Sequence, residues 1–156
     1  MYGAFLFLKK SIFRVMTIPQ RITEFISEND VMTIASSSQN QPYCAAVFYV
    51  YIPEKNLMCF MSDKTTRHIQ EIILNDCVSG TILPKNVSIA KVKGLQFTGK
   101  IFEPEDSTKK ECIFNYHKLY PMAILHPSTL WVIEPDFFKL TDYRLGFGKK
   151  LLWKKE

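Results

Sequence analysis

The stretch Leu57-Met-Cys-Phe-Met-Ser-Asp-Lys-Thr-Thr-Arg-His-Ile-Gln-Glu-Ile72 decides how this chain is read. Leu57 to Met61 is an unbroken apolar run of strand length, and Ser62 to Thr66 is polar and turn-like. Past that point the apolar spacing changes. Ile69, Ile72 and Ile73 recur at three- and four-residue intervals, which predicts a helix over 67–74. A buried strand therefore passes through a short polar loop into an amphipathic helix. Thr65 or Thr66 can cap that helix. The first-turn amides and the positive end of the helix dipole face outward there, and Arg67 and His68 lie in the same turn. The residues admit two readings: a site for a phosphate or other anion, or an ordinary capped helix with a solvated arginine.

Working outward, the N-terminal side reads as one helix and two more strands. Thr17-Ile-Pro-Gln20 has the form of a capping box, with Pro19 in the first turn. Ile18, Ile22, Phe25 and Ile26 share one helical face, which predicts a helix over 18–28. Val31 to Ala35 and Tyr43 to Ile52 are rich in β-branched and aromatic residues and read as strands. Ser36 to Pro42 reads as a polar turn, as does Pro53-Glu-Lys-Asn56. Three strands joined by short links imply antiparallel pairing.

The C-terminal side continues the pattern. Val78 to Leu83 is a strand, and Ile89 to Phe102 is a long one interrupted by Gly94 and Gly99, which suit bends or bulges at a barrel corner. Glu105-Asp-Ser-Thr108 starts a third helix that ends at Pro121. Thr129 to Ile133 and Phe137 to Thr141 are strands around a Glu-Pro-Asp turn, and Leu151 to Trp153 can add one more. With no serial βαβ pattern, the order predicts a mainly β (α+β) domain: a partly open antiparallel barrel with peripheral helices.

At 156 residues and 47% hydrophobic, the chain supports one core and not two. A net charge of +5 suits an anionic partner, yet the lysines are scattered, and no strand carries the aromatic-interleaved basic stripe of a nucleic-acid-binding barrel. Cys44, Cys59, Cys77 and Cys112 form no Cys-x-x-Cys pair and have no histidine at metal-ligand spacing. They read as ordinary buried thiols of a reducing cytoplasm. The histidines His68, His117 and His126 match no zinc motif. Residues 1–15 read as an extension ahead of a domain spanning 16–156, with Met16 as an alternative start or the apolar arm packing on a partner subunit. That arm is too short to span a bilayer, and no other stretch is a candidate, so the expected location is cytoplasmic.

Two segments carry a resemblance. The strand, Ser-Asp-Lys-Thr-Thr-Arg-His and the apolar helix that follows resemble the phosphate-binding segment of the pyridoxamine-phosphate-oxidase-like, FMN-binding split barrels. Lys93-Gly-Leu-Gln-Phe-Thr-Gly99 is similar to the strand that crosses their cofactor site. The resemblance covers about residues 17–153. It is closer to the small bacterial YhbP-like branch, on Tyr43-Cys-Ala-Ala-Val-Phe-Tyr, Lys64 to His68 and Leu145 to Trp153.

The resemblance implies a homodimer with FMN sites between the subunits. Thr66, Arg67 and His68 would grip the flavin phosphate. Ser62 and Asp63 would run along the isoalloxazine edge, and Gln96 would reach the ring. His68 replaces the more usual lysine, so charge there depends on pH. Leu145-Gly-Phe-Gly-Lys-Lys150 allows close backbone approach, and Phe147 with Lys149 would wall the pocket; a tight surface turn fits the same residues. Ala45, Ala46 and Val47 stand where the vitamin-B6 oxidases carry an arginine, and their C-terminal Arg-x-His is also missing, which disfavours that reaction. The expected function is flavin binding, with an oxidoreductase of unassigned small-molecule substrate as one form. A binding, storage or sensing module for flavin or haem is the other. No nucleic acid, membrane or metal partner is expected.

Overall fold

In β1 (Val31–Ser38) the buried residues alternate: Met32, Ile34 and Ser36 turn inward and their neighbours do not. The same period-two pattern runs through β5 (Lys93–Phe102), where Leu95, Phe97, Gly99 and Ile101 are inside. The computed structural model describes residues 17–86, 88–146 and 149–156. Its other strands are β2 (Gln41–Ile52), β3 (Leu57–Ser62), β4 (Cys77–Ile82), β6 (Thr129–Asp142) and β7 (Lys150–Lys154). The α-helices are α1 (Gln20–Ser27), α2 (Arg67–Leu74) and α3 (Asp106–Leu119).

The strands lie in the order β3-β2-β1-β4-β5-β6-β7, and β3 also pairs with β6. Six strands thus close into an antiparallel barrel, and β7 extends it along the far half of β6. Closure removes the free edges an open sheet would present. Inside lie Met32, Ile34, Tyr49, Met58, Phe60, Phe97 and Phe138, all essentially without solvent contact. Helix α1 adds Ile22, Phe25 and Ile26 to this core, and α2 adds Ile69 and Ile72. Each such side chain stabilises the fold by about 1.5–3 kcal/mol when fully buried. Helix α3 covers a second apolar cluster on the outside of β3 and β6: Ile52, Leu57, Cys59, Cys112, Leu130 and Val132. Tyr49 ties the layers together. Its hydroxyl donates to the Ile26 carbonyl at 2.6 Å, while its own carbonyl accepts from Tyr120 at 2.8 Å. No helix among the described residues is long and apolar enough to cross a membrane.

The structure corrects several local expectations. The capping box at Thr17 does not form: Pro19 is the N-cap, no side chain caps α1, and Gln20 donates to Glu24 instead. Ser36 to Pro42 is mostly strand. Gln39 and Asn40, both at positive φ (51° and 60°), make the tight turn between β1 and β2. Ile89–Lys91 is a 3-10 turn, with Ile89 96% exposed, so β5 begins only at Lys93. Glu134-Pro-Asp136 is no turn either. Thr98 pairs with Phe137 and Gly99 with Pro135, so Asp136 is the extra residue of a bulge in one continuous β6. Cys44 and Cys77 are exposed; Cys59 and Cys112 are the buried thiols. The expectations for residues 1–15 lie outside the described residues.

Gly99 is the residue that lets the bulge form. A Cβ there would sit 2.5 Å from the Glu134 carbonyl oxygen and 2.9 Å from Pro135 Cα, both backbone atoms. Gly99→Ala is expected to lower stability by about 1–3 kcal/mol, read as a lower urea midpoint; an unchanged midpoint would mean that the bulge yields.

Candidate anion-binding site

Strand β3 ends at Ser62 because the loop after it bonds to itself. Asp63 accepts from the Thr65 amide and the Thr65 hydroxyl, each at 2.8 Å, which is an Asx-type turn. The amide bond first, then the hydroxyl, holds the Asp63 carboxyl below its usual pKa. The Thr66 amide and hydroxyl both donate to the Asp63 carbonyl, at 3.1 and 2.8 Å. Trp131 of β6 donates to the Ser62 carbonyl at 3.2 Å and fastens the loop to the barrel.

Thr66 is the N-cap residue of α2, with extended backbone, but its hydroxyl does not cap the helix. The first-turn amides of α2 therefore stay open to an incoming anion. Instead, the Thr66 hydroxyl joins Ser62 Oγ (3.2 Å) and His68 Nε2 (3.3 Å), and Ser62 Oγ lies 2.8 Å from the same ring nitrogen. Burial lowers the His68 pKa below 6.5, partly opposed by the Glu71 charge. The ring is thus neutral near pH 7 and contributes a hydrogen bond there, not a charge.

Arg67 is positioned from two sides. Its Nε donates to Glu71 Oε1 at 2.8 Å, and its guanidinium lies 4.3 Å from the centre of the Tyr43 ring. Glu71 is in turn held by Ser36 of β1, whose hydroxyl donates to Oε2 at 2.7 Å. Ser36 first and Arg67 second keep the Glu71 carboxyl below its ordinary pKa. Among the described residues the terminal guanidinium nitrogens have no partner, and the side chain is 55% exposed. Lys64 pairs with Glu103 at 2.6 Å on the surface. Such exposed pairs contribute little stability, and an anion can compete for either cation at low cost.

The fold thus brings Ser62, Asp63, Thr66, Arg67 and His68 together. It does not bring Gln96 or Lys149 to them within one chain. Gln96 lies on the outer face of β5 between Thr81 and Lys139, in a cleft of about 470 Å³ shared with Ala35, Cys44 and Phe137. Lys149 lines a separate cleft of about 480 Å³ with Ile89, Val92 and Tyr143. Loop 62–68 is no wall of either. Phe147 lies outside the described residues. His117 is half-buried on α3 and His126 is exposed. Among the described residues no three His, Cys, Asp or Glu side chains gather as a metal site.

Tyr43, Glu71, Ser36 and Trp131 belong to the site although the sequence reading passed over their roles. Only one left a signal there: Arg67 and Glu71 stand at i,i+4 on a helix, a spacing that places them side by side. Ser36 and Trp131 act across long sequence separations, from β1 onto α2 and from β6 onto the end of β3.

The architecture is similar to that of solved structures. A haem-binding protein from Mycobacterium smegmatis superimposes with a TM-score of 0.73 at 13% identity, over 88% of this chain and 59% of that one. An FAD-binding protein from Mesorhizobium loti gives 0.63 at 18% identity, over 80% and 95%. These likenesses show the fold, an antiparallel split β-barrel with peripheral helices. No family model matches the chain. A Klebsiella pneumoniae protein of the UPF0306 family is 33% identical over 135 residues, covering 86% of this chain and 92% of that one. The chain belongs to the UPF0306 family.

Because the folded state favours neutral His68, its contribution to stability is complete above the ordinary histidine value of 6.5. It is lost as pH falls from there towards the lower pKa of the folded protein. The expected result is a thermal midpoint that declines through this window in wild type and declines less in His68→Gln. Equal slopes would remove His68 from the buried cluster.

Proposed function

We propose that this protein binds FMN, with the flavin phosphate held at the start of α2. The observation that carries this reading is an uncapped helix N-terminus beside a guanidinium fixed by Glu71 and Tyr43, with its terminal nitrogens unpartnered. The uncapped first-turn amides that follow Thr66 and the terminal nitrogens of Arg67 take the phosphate oxygens. His68 adds a hydrogen bond at neutral pH and a charge only in acid. Ser62 and Asp63 border the ring edge. Bound FMN would supply hydride or electron transfer, and the chain's part is placement and electrostatics. No substrate is assigned. The strand that holds an arginine in the vitamin-B6 oxidases carries Ala45, Ala46 and Val47 here, so that oxidation is not proposed.

Gln96 and Lys149 reach the same ligand only from a second copy, and we propose a homodimer for that reason. The outer sheet face supports it: Thr33, Ala35, Cys44, Ser79, Thr81 and Thr98 are small and uncharged, and Phe48 nearby is 56% exposed. Haem is the second reading, favoured by a neutral imidazole at His68 and by the haem-binding protein of the same fold.

Titration with FMN and with riboflavin, followed by absorption, tests the proposal. Arg67→Ala is expected to weaken FMN by roughly 1.5–3 kcal/mol, about 10- to 150-fold, and to leave riboflavin unchanged. Equal FMN affinity in both proteins would remove Arg67 from the site, and a Soret band in the purified protein would replace flavin by haem. Sedimentation of the FMN-saturated protein should give a dimer with one flavin per protomer. A flavin-loaded monomer would keep the phosphate site and discard the shared interface.

A further inference from the structure

We propose that the outward face of α3, with the turn that follows it, rests on an anionic bilayer surface. Helix α3 is apolar on two sides. Cys112 and Tyr116 are its buried residues and face the barrel. Phe114 lies two residues from each, on the opposite side of the helix, and is 67% exposed. The 3-10 turn Pro121–Leu125 continues the same stretch. Leu119, Met122, Ile124 and Leu125 are each more than half exposed. This is the densest run of exposed large apolar residues in the described chain, and such a surface marks a contact.

The charge beside it has one sign. Ile113 and Phe114 share a hollow with Lys110, His117 and Lys118, and no carboxylate lines it. Lys109, Lys110 and Lys118 have no acidic partner among the described residues. Of the acids on α3, Asp106 is its first residue and Glu111 is taken by Lys55.

These charges choose the occupant. A second copy laid on this face across a two-fold axis would meet lysines with lysines. The dimer proposed above also uses another surface, the outer side of β1, β4 and β5, whereas α3 covers β3 and β6. The exposed side chains project from a helix and a turn. A lipid interface takes projecting apolar groups without a matching groove, while lysines reach its anionic headgroups. Such a helix lies in the interface and does not cross it, which suits a chain whose described helices are not long and apolar enough to span. This replaces the expectation, drawn from the sequence, of no membrane partner. It does not depend on the flavin reading, because none of these residues belongs to loop 62–68.

Flotation of the full chain with lipid vesicles tests the proposal. In about 0.1 M salt the protein is expected to float with vesicles of equal phosphatidylglycerol and phosphatidylcholine, and to stay behind with phosphatidylcholine alone. Lys110→Gln with Lys118→Gln should weaken binding about 30-fold, and Lys110→Arg with Lys118→Arg should float as wild type. Phe114→Ser with Met122→Ser should weaken it about tenfold or more, with an unchanged thermal midpoint because both side chains are exposed. A wild-type protein that floats with neither vesicle, or equally with both, would overturn the proposal. Unchanged flotation in the glutamine or the serine variant would do the same, by moving the contact to another part of the chain.

Discussion

The pairing of β3 with β6 closes the barrel, and the candidate site hangs from that seam. Met58 to Ser62 pair with Ile133 back to Thr129, so the last ladder rung joins Ser62 to Thr129. Beyond it the chain must leave the sheet, and the self-bonded loop at Asp63 turns it into α2. Strand β6 can serve β3, β5 and β7 because it is 14 residues long and bulged at Asp136. The bulge in turn requires Gly99 opposite Pro135. The bulge thus lies on the same strand as the seam, just past the residues that pair with β3.

What the loop offers is set by which groups are already engaged. Thr66 spends its hydroxyl on Asp63, Ser62 and His68, and so leaves the helix amides uncapped. Arg67 spends only Nε, on a carboxylate that Ser36 holds in place from β1. The result is a cation fixed in direction with its hydrogen-bonding edge outward. Fixing a side chain before the ligand arrives reduces the ordering cost of binding.

Much of this was legible in the sequence, and the losses have physical reasons. The barrel class followed from hairpin-like links and from strands rich in aromatic and β-branched residues. Helix α2 and its loop were placed correctly because the apolar spacing changes at Arg67. The turn at Gln39–Asn40 lies inside the expected polar turn Ser36–Pro42 but is tighter, because Ser36, Ser37 and Ser38 pair with Tyr43, Pro42 and Gln41 despite their turn-like composition, and Glu134-Pro-Asp136 has turn composition yet forms a bulge. Within the site, the local residues Ser62 to His68 could be named, whereas Ser36 and Tyr43 reach it from β1 and β2, and Trp131 across the β3–β6 seam. Gln96 and Lys149 were assigned by resemblance, and a single chain keeps them apart.

The most direct measurement is a backbone amide NMR titration, first with inorganic phosphate and then with FMN. An anion pocket at the seam predicts the largest and saturable shifts at the amides of Arg67, His68 and Ile69 with either ligand. Saturation with FMN that leaves those three amides unmoved, while signals elsewhere shift, would contradict it.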